Sequence, residues 1–267
     1  MYTIAKALVA GLATFGVVQA YPQANGYATS GSPTATAAAP SSTENPDQLF
    51  LDLFKAPTAI KRFQRLLTDA GESLKPAEIL KKYTVFDFNN AQPNAGAKGG
   101  ATKSANVETF PILTDLGIST TVGFLDACGM NTPHVHPRAT EFLTVTQGTV
   151  NFGYIVENGL IKAGNNGEIA GQLTQFQGTV FPIGSIHYQF NPNCEKAVFV
   201  ATLNHEDPGT SQLAQNFFGL NVDVVDATIG FPGTLDGKDI NAFRKNIPAN
   251  IALSVDSCLQ KCGLQTR

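Results

Sequence analysis

Between residues 83 and 203 the chain is a succession of short runs rich in Val, Ile, Phe, Tyr and Thr, each cut off by Gly, Pro or Asn. The runs fall at 83–88, 117–125, 141–145, 150–156, 179–181, 187–190 and 197–203. β-branched and aromatic residues pack well on a pleated surface, and punctuation at such close intervals leaves no room for long helices. The pattern therefore predicts an all-β core, an antiparallel sandwich or barrel. Helical periodicity flanks it on both sides. Asp47 is placed to cap the run Leu49, Leu51, Phe54. Ile60, Phe63, Leu66 and Leu67 then recur at helical spacing opposite Lys61, Arg62 and Arg65, and a third helix over 77–82 follows Pro76. After Pro208, helices are expected over 239–245 and 252–262, with mixed faces suited to docking on the core or on a second subunit.

The chain reads as five stretches: a signal peptide (1–20), a low-complexity linker (21–46), a helical extension (47–82), the β core (83–208), and a final strand with C-terminal helices (209–267). Lys6, the apolar run 7–18 and the small residues Val18 and Ala20 make a secretory signal cleaved after Ala20. That apolar run is well short of the roughly 20 residues needed to span a bilayer. The linker is rich in Ala, Ser, Thr and Pro, and lacks the periodicity to form a core. The formal net charge is -3 and no Lys/Arg block occurs, which argues against nucleic acid or an anionic membrane as partner.

Export changes the meaning of the four cysteines, Cys128, Cys194, Cys258 and Cys262. In an oxidising compartment they are expected to pair rather than to bind zinc or act as nucleophiles. Four cysteines allow three connectivities, and sequence alone does not choose among them. The pairs expected first are Cys128–Cys194, which would brace two parts of the histidine-bearing region, and Cys258–Cys262, whose helical spacing lies at the wide end of disulfide geometry.

The chain has four histidines, and three fall in two short segments. The first is Pro133-His134-Val135-His136-Pro137-Arg138-Ala139-Thr140-Glu141. Residues two apart on a strand share a face, so His134 and His136 can converge on one ion. Pro137 ends that strand, and a tight hairpin at 138–140 would let the next strand restart with Glu141 facing inward. The second segment is Phe181-Pro182-Ile183-Gly184-Ser185-Ile186-His187, in which Pro182 and Gly184 make a turn that delivers His187 from a neighbouring strand. A lone His-x-His on a strand is more often surface or core than ligand. The spaced Glu, the second segment and the scarcity of other histidines reverse that expectation. Three imidazoles and one carboxylate suit Mn, Fe, Ni, Cu or Zn and leave about two positions open on an octahedral ion. With one carboxylate the loaded site keeps a net charge of about +1, which favours a small anion. His205 stands alone and reads as loop.

The first segment resembles the first cupin motif of germins, and the second, followed by Asn191, is similar to their second motif. The resemblance covers about residues 80–262 and is nearest to fungal secreted germin-like proteins related to slime-mould spherulins. It implies a jelly-roll β-barrel, the four ligands at His134, His136, Glu141 and His187, manganese as the usual metal (Fe, Ni and Zn as alternatives), and a homo-oligomer assembled through C-terminal helices. Two motif glycines, Gly129 and Gly178, sit closer to the following residues than the pattern asks, a change in turns and not in ligands.

A third departure bears on function. Oxalate-oxidising germins hold their substrate with two asparagines. One matches Asn131, whereas the position ten residues earlier is Thr121, with no substitute amide at Gly123 or Phe124. The resemblance thus implies a manganese enzyme acting on oxalate, on another small carboxylate or on superoxide. It equally implies a non-catalytic spherulin-like wall or stress protein, or a small-ligand-binding cupin.

Overall fold

A computed structural model of the protein describes residues 45–230 and 246–265. The expected signal peptide, the linker up to residue 44 and the helix at 239–245 lie outside the described residues. The N-terminal part forms helices α1 (Pro46–Lys55), α2 (Ala59–Leu67) and α3 (Ala77–Thr84), with a two-residue ladder β1 (Thr68–Asp69) and β2 (Ser73–Leu74) between the last two. The α1 cap is Asn45 and not Asp47: the Asp47 N–H donates to Asn45 Oδ1 at 3.0 Å, because Pro46 at the first helical position moves the start upstream. Leu49, Leu53, Leu66 and Tyr83 close a small apolar cluster of their own.

Two sheets make the body. One has the order β3 (Gly100–Ala105), β4 (Ser119–Leu125), β11 (Ala197–Leu203), β6 (Glu141–Gln147), β9 (Gly178–Phe181). The other runs β12 (Ser211–Gln212), β5 (Gly129–Val135), β10 (Ile186–Phe190), β7 (Thr149–Ile155), β8 (Ile169–Thr174), with β13 (Ala252–Leu253) also paired to β5. Every pairing is antiparallel. Helices α4 (Leu213–Phe217), α5 (Val222–Thr228) and α6 (Asp256–Lys261) follow the main strands. The core lies between the sheets: Leu125, Leu143, Val145, Phe181 and Phe199 from one meet Val150, Phe152, Tyr154 and Leu173 from the other. The expected all-β core with flanking helices is what the chain forms.

Three local expectations are corrected. Residues 83–88 form no strand: Tyr83 and Thr84 complete α3, and the Asp87 carboxylate then accepts from the backbone N–H of Asn89 in a turn. β3 and β8 were not signalled by the apolar runs, since Gly-Ala-Thr-Lys-Ser-Ala and Ile-Ala-Gly-Gln-Leu-Thr carry few β-branched residues. The cysteines pair as Cys128–Cys258 and Cys194–Cys262, not as Cys128–Cys194 and Cys258–Cys262. The reason is α6, which holds Cys258 and Cys262 one turn apart with the Cys262 N–H donating to the Cys258 carbonyl. Closing them on each other would unwind that turn. Instead both reach across to the loops beside β5 and β10, with Cα–Cα distances of 5.8 and 5.3 Å.

Candidate metal centre

Four side chains from both sheets converge in the interior. His134 lies on β5 directly opposite His187 on β10, so both imidazoles share one face. The turn before β10 forms as the sequence predicts: Ser185 N–H donates to Pro182 O, and Gly184 takes φ +76°, a conformation that favours glycine. Glu141 arrives differently from the expectation. β5 and β6 are not the arms of a hairpin but belong to opposite sheets, so residues 136–140 carry the chain across the sandwich. Glu141 opens β6, pairs with Leu203 on one side and Phe181 on the other, and faces the histidines from the second sheet.

The donor atoms of His134, His136, Glu141 and His187 lie within 4.8 Å of one another. All four residues are buried, with exposures of 2, 8, 3 and 1%. Each histidine uses its Nδ1 on a backbone carbonyl: His134 on Thr132 at 2.8 Å, His136 on Gly209 at 2.6 Å, His187 on Ser185 at 2.9 Å. A carbonyl can only accept, so each Nδ1 carries a hydrogen and each Nε2 turns to the centre, the arrangement in which imidazoles ligate metals. His187 Nε2 is buried without a hydrogen-bond partner, a costly condition for a group with no ligand to meet. Phe181 stacks on the His187 ring at 4.4 Å and fixes its plane. The donor set and its orientation fit a divalent transition metal.

Electrostatics sharpen the picture. Burial, then the neighbouring His187, hold His134 down at about 3, so it is neutral near pH 7. Burial works to raise Glu141, but the hydrogen bond from His136 and the imidazole of His187 nearby outweigh it and keep the carboxyl at about 2. Burial also opposes charge on His136. The Glu141 carboxylate, 2.9 Å from its Nε2, nevertheless lifts His136 above its ordinary value.

A cavity of about 220 Å³ opens over this group. Its apolar wall is Phe199, Ala201 and Leu203 of β11. The polar wall includes Asn131 and Thr121, and also Ser104, Gln212 and Asn250, which sequence reasoning missed. Thr121 is bonded to Ser104, hydroxyl to hydroxyl at 2.7 Å. Ser104 sits on a strand without an apolar signature, and Gln212 and Asn250 lie far along the chain, so no local pattern marked them. His205 stays apart from the group as a loop residue, accepting the Asp207 N–H on Nδ1.

Residues 86–233 match the cupin family. The chain belongs to that family. Spherulin-1A of Physarum polycephalum is 36% identical to this cupin over 225 residues, 84% of the chain and 82% of the relative. Germin-like protein 8-2 of Oryza sativa subsp. japonica is 39% identical over 144 residues, 52% of the chain and 61% of the relative. Among solved structures, a recombinant oxalate oxidase in complex with glycolate superposes with a TM-score of 0.50 at 23% identity, over 65% of this chain and 86% of that one. That likeness shows the shared fold. Among the described residues of this cupin no helix is long and apolar enough to cross a membrane.

Proposed function

We propose that this cupin is secreted, holds one divalent transition metal, manganese first, through His134, His136, Glu141 and His187, and binds a small carboxylate such as oxalate at the open metal positions. The observation that carries the reading is the set of three Nδ1-anchored imidazoles converging with an ionised Glu141, of which His134, His136 and Glu141 line a polar cavity. Manganese would supply Lewis-acid charge and one-electron redox capacity, the chemistry of an oxidoreductase acting on a carboxylate or on superoxide. The chain's own part is to bind and orient. The single carboxylate of Glu141 leaves the loaded site cationic, which attracts an anion. Asn131 offers an amide N–H, and Phe199, Ala201 and Leu203 keep one side of the ligand dry.

Thr121 favours a second reading, a spherulin-like extracellular protein in which the metal serves the barrel and turnover is slight. Its hydroxyl is already engaged by Ser104, so the far end of a dicarboxylate meets one shared hydroxyl where an amide would bring two donors. A missing hydrogen bond to a charged ligand costs about ten- to a hundred-fold in affinity or rate. Export and homo-oligomerisation belong to the same proposal; Phe142 and Val180, paired across β6 and β9 and both exposed, supply an apolar surface for a second copy.

The test is elemental analysis of the mature protein, then assays for peroxide from oxalate and for superoxide loss, on wild type and Thr121→Asn. Close to one metal per chain is expected, with weak oxalate turnover that rises in the variant. Absence of metal even after refolding with Mn2+ overturns the metal reading. An unchanged Thr121→Asn overturns the account of Thr121.

A further inference from the structure

Asn250 enters the cavity from a part of the chain that looks peripheral in sequence. It immediately precedes Ile251, whose side chain is buried in the main core, and β13, which pairs with Met130 and Gly129 on β5. The segment is held tightly. Lys98 and Gly99 both donate N–H to Ile251 O, Ser254 N–H donates to Cys128 O, and α6 is bonded through Cys258 and Cys262 to Cys128 and Cys194. A Cβ on Gly99 would lie 1.9 Å from Ala252 O, so only glycine allows the segment to seat this closely.

Its side chain sets a directed chain of amides. The Thr132 N–H donates to Asn250 Oδ1 at 2.9 Å, Asn250 Nδ2 donates to Asn131 Oδ1 at 2.7 Å, and Asn131 Nδ2 donates to Gln189 Oε1 at 2.8 Å. A backbone N–H can only donate, so Asn250 must turn its oxygen to Thr132 and its nitrogen to Asn131. That choice dictates the orientation of Asn131 in turn and removes the usual ambiguity of a side-chain amide. Gln189, fully buried, ends the chain with its Nε2 unpartnered. Asn131 keeps one uncommitted N–H on the cavity wall, three residues before His134.

We propose that Asn250 is a positioning residue of the anion site: delivered by the disulfide-clipped C-terminal segment, it locks the Asn131 amide so that an N–H, not the carbonyl oxygen, is presented to a small carboxylate. The inference rests on the carboxylate reading above and adds that the C-terminal segment completes the site. With the lock removed, Asn131 samples other orientations, and re-ordering one such side chain on binding weakens affinity about three- to ten-fold.

The experiment titrates oxalate and glycolate into Co2+-substituted wild type, Asn250→Ala, Asn131→Ala and the double variant, read by the visible spectrum of the metal. Metal content and melting temperature are measured alongside. Asn250→Ala is expected to keep its metal and bind both anions about three- to ten-fold more weakly. Because Asn250 acts through Asn131, the double variant should bind like Asn131→Ala alone. Three results overturn the proposal: Asn250→Ala affinity indistinguishable from wild type, losses that multiply in the double variant, or loss of the metal itself from Asn250→Ala. Wild type that binds neither anion defeats the carboxylate reading, and this inference with it, which separates that failure from the other three.

Discussion

Loading the site with Mn2+ should displace a proton from His136, and Glu141→Gln should suppress that release. In the metal-free protein Glu141 is held at about 2 and is therefore ionised at all ordinary pH. Its Oε2 lies 2.9 Å from His136 Nε2 and, against the pull of burial, raises the imidazole above its ordinary 6.5. At pH 6.5 more than half of the His136 side chains consequently carry a proton on Nε2, Nδ1 being committed to Gly209 O. A metal needs that lone pair, so binding expels the proton. His134, at about 3, has none to lose. In Glu141→Gln the opposing influence of burial prevails and His136 becomes neutral. The His136 share, at least about half a proton per ion near pH 6.5, should then vanish from the total. Affinity should drop at least about a hundred-fold, the upper end of what loss of a mere supporting partner costs. Calorimetric titration of Mn2+ in two buffers of different ionisation enthalpy measures the release directly. Equal proton release by wild type and variant would refute the reasoning.

Three further outcomes are expected. The metal-free protein should lose stability as pH falls below about 6.5, where the opposite gain from the raised His136 is already complete. The His134 contribution, present above the unfolded value of 6.5, disappears between 6.5 and about 3, and that of Glu141 between 4.5 and about 2. At about 1.4 kcal/mol per unit, each is worth on the order of several kcal/mol. Urea unfolding of chelator-treated protein from neutral pH to about pH 4 checks this, and a flat profile contradicts it. Peptide mapping without reduction should recover Cys128 linked to Cys258 and Cys194 linked to Cys262; a Cys128–Cys194 peptide would contradict the fold around α6. Finally, Gly123→Ala should cost about 1–3 kcal/mol by overpacking. Its new Cβ would lie 2.2 Å from the ring of buried Phe199, so the ring must move against neighbours that include the cavity. Thermal unfolding with the metal bound reads the loss, and an unchanged midpoint would show that the ring has room.

Much of the centre was legible because its signals are local. His134 and His136 sit two apart on one strand, the Pro182–Gly184 turn announces His187, and dense β-branched runs mark most strands. Where the local pattern was weak, reading failed: β3 is built of small residues, and residues 83–84 were absorbed by the helix before them. Glu141 joins the three histidines by a route other than the expected one, since it reaches the group by crossing between sheets and not by turning a hairpin. The disulfide pairing, the Ser104–Thr121 pair and the Asn250–Asn131 lock had no local trace. Asn250 meets Thr132 and Asn131 across 118 and 119 residues, and Cys128 meets Cys258 across 130. Side-chain alternation and turn chemistry record forces between residues a few positions apart, and those marked the His134–His136 pair, the turn before His187 and the all-β core. Which distant segments share a wall depends on how the strands are ordered in two sheets, and only the folded chain decides that.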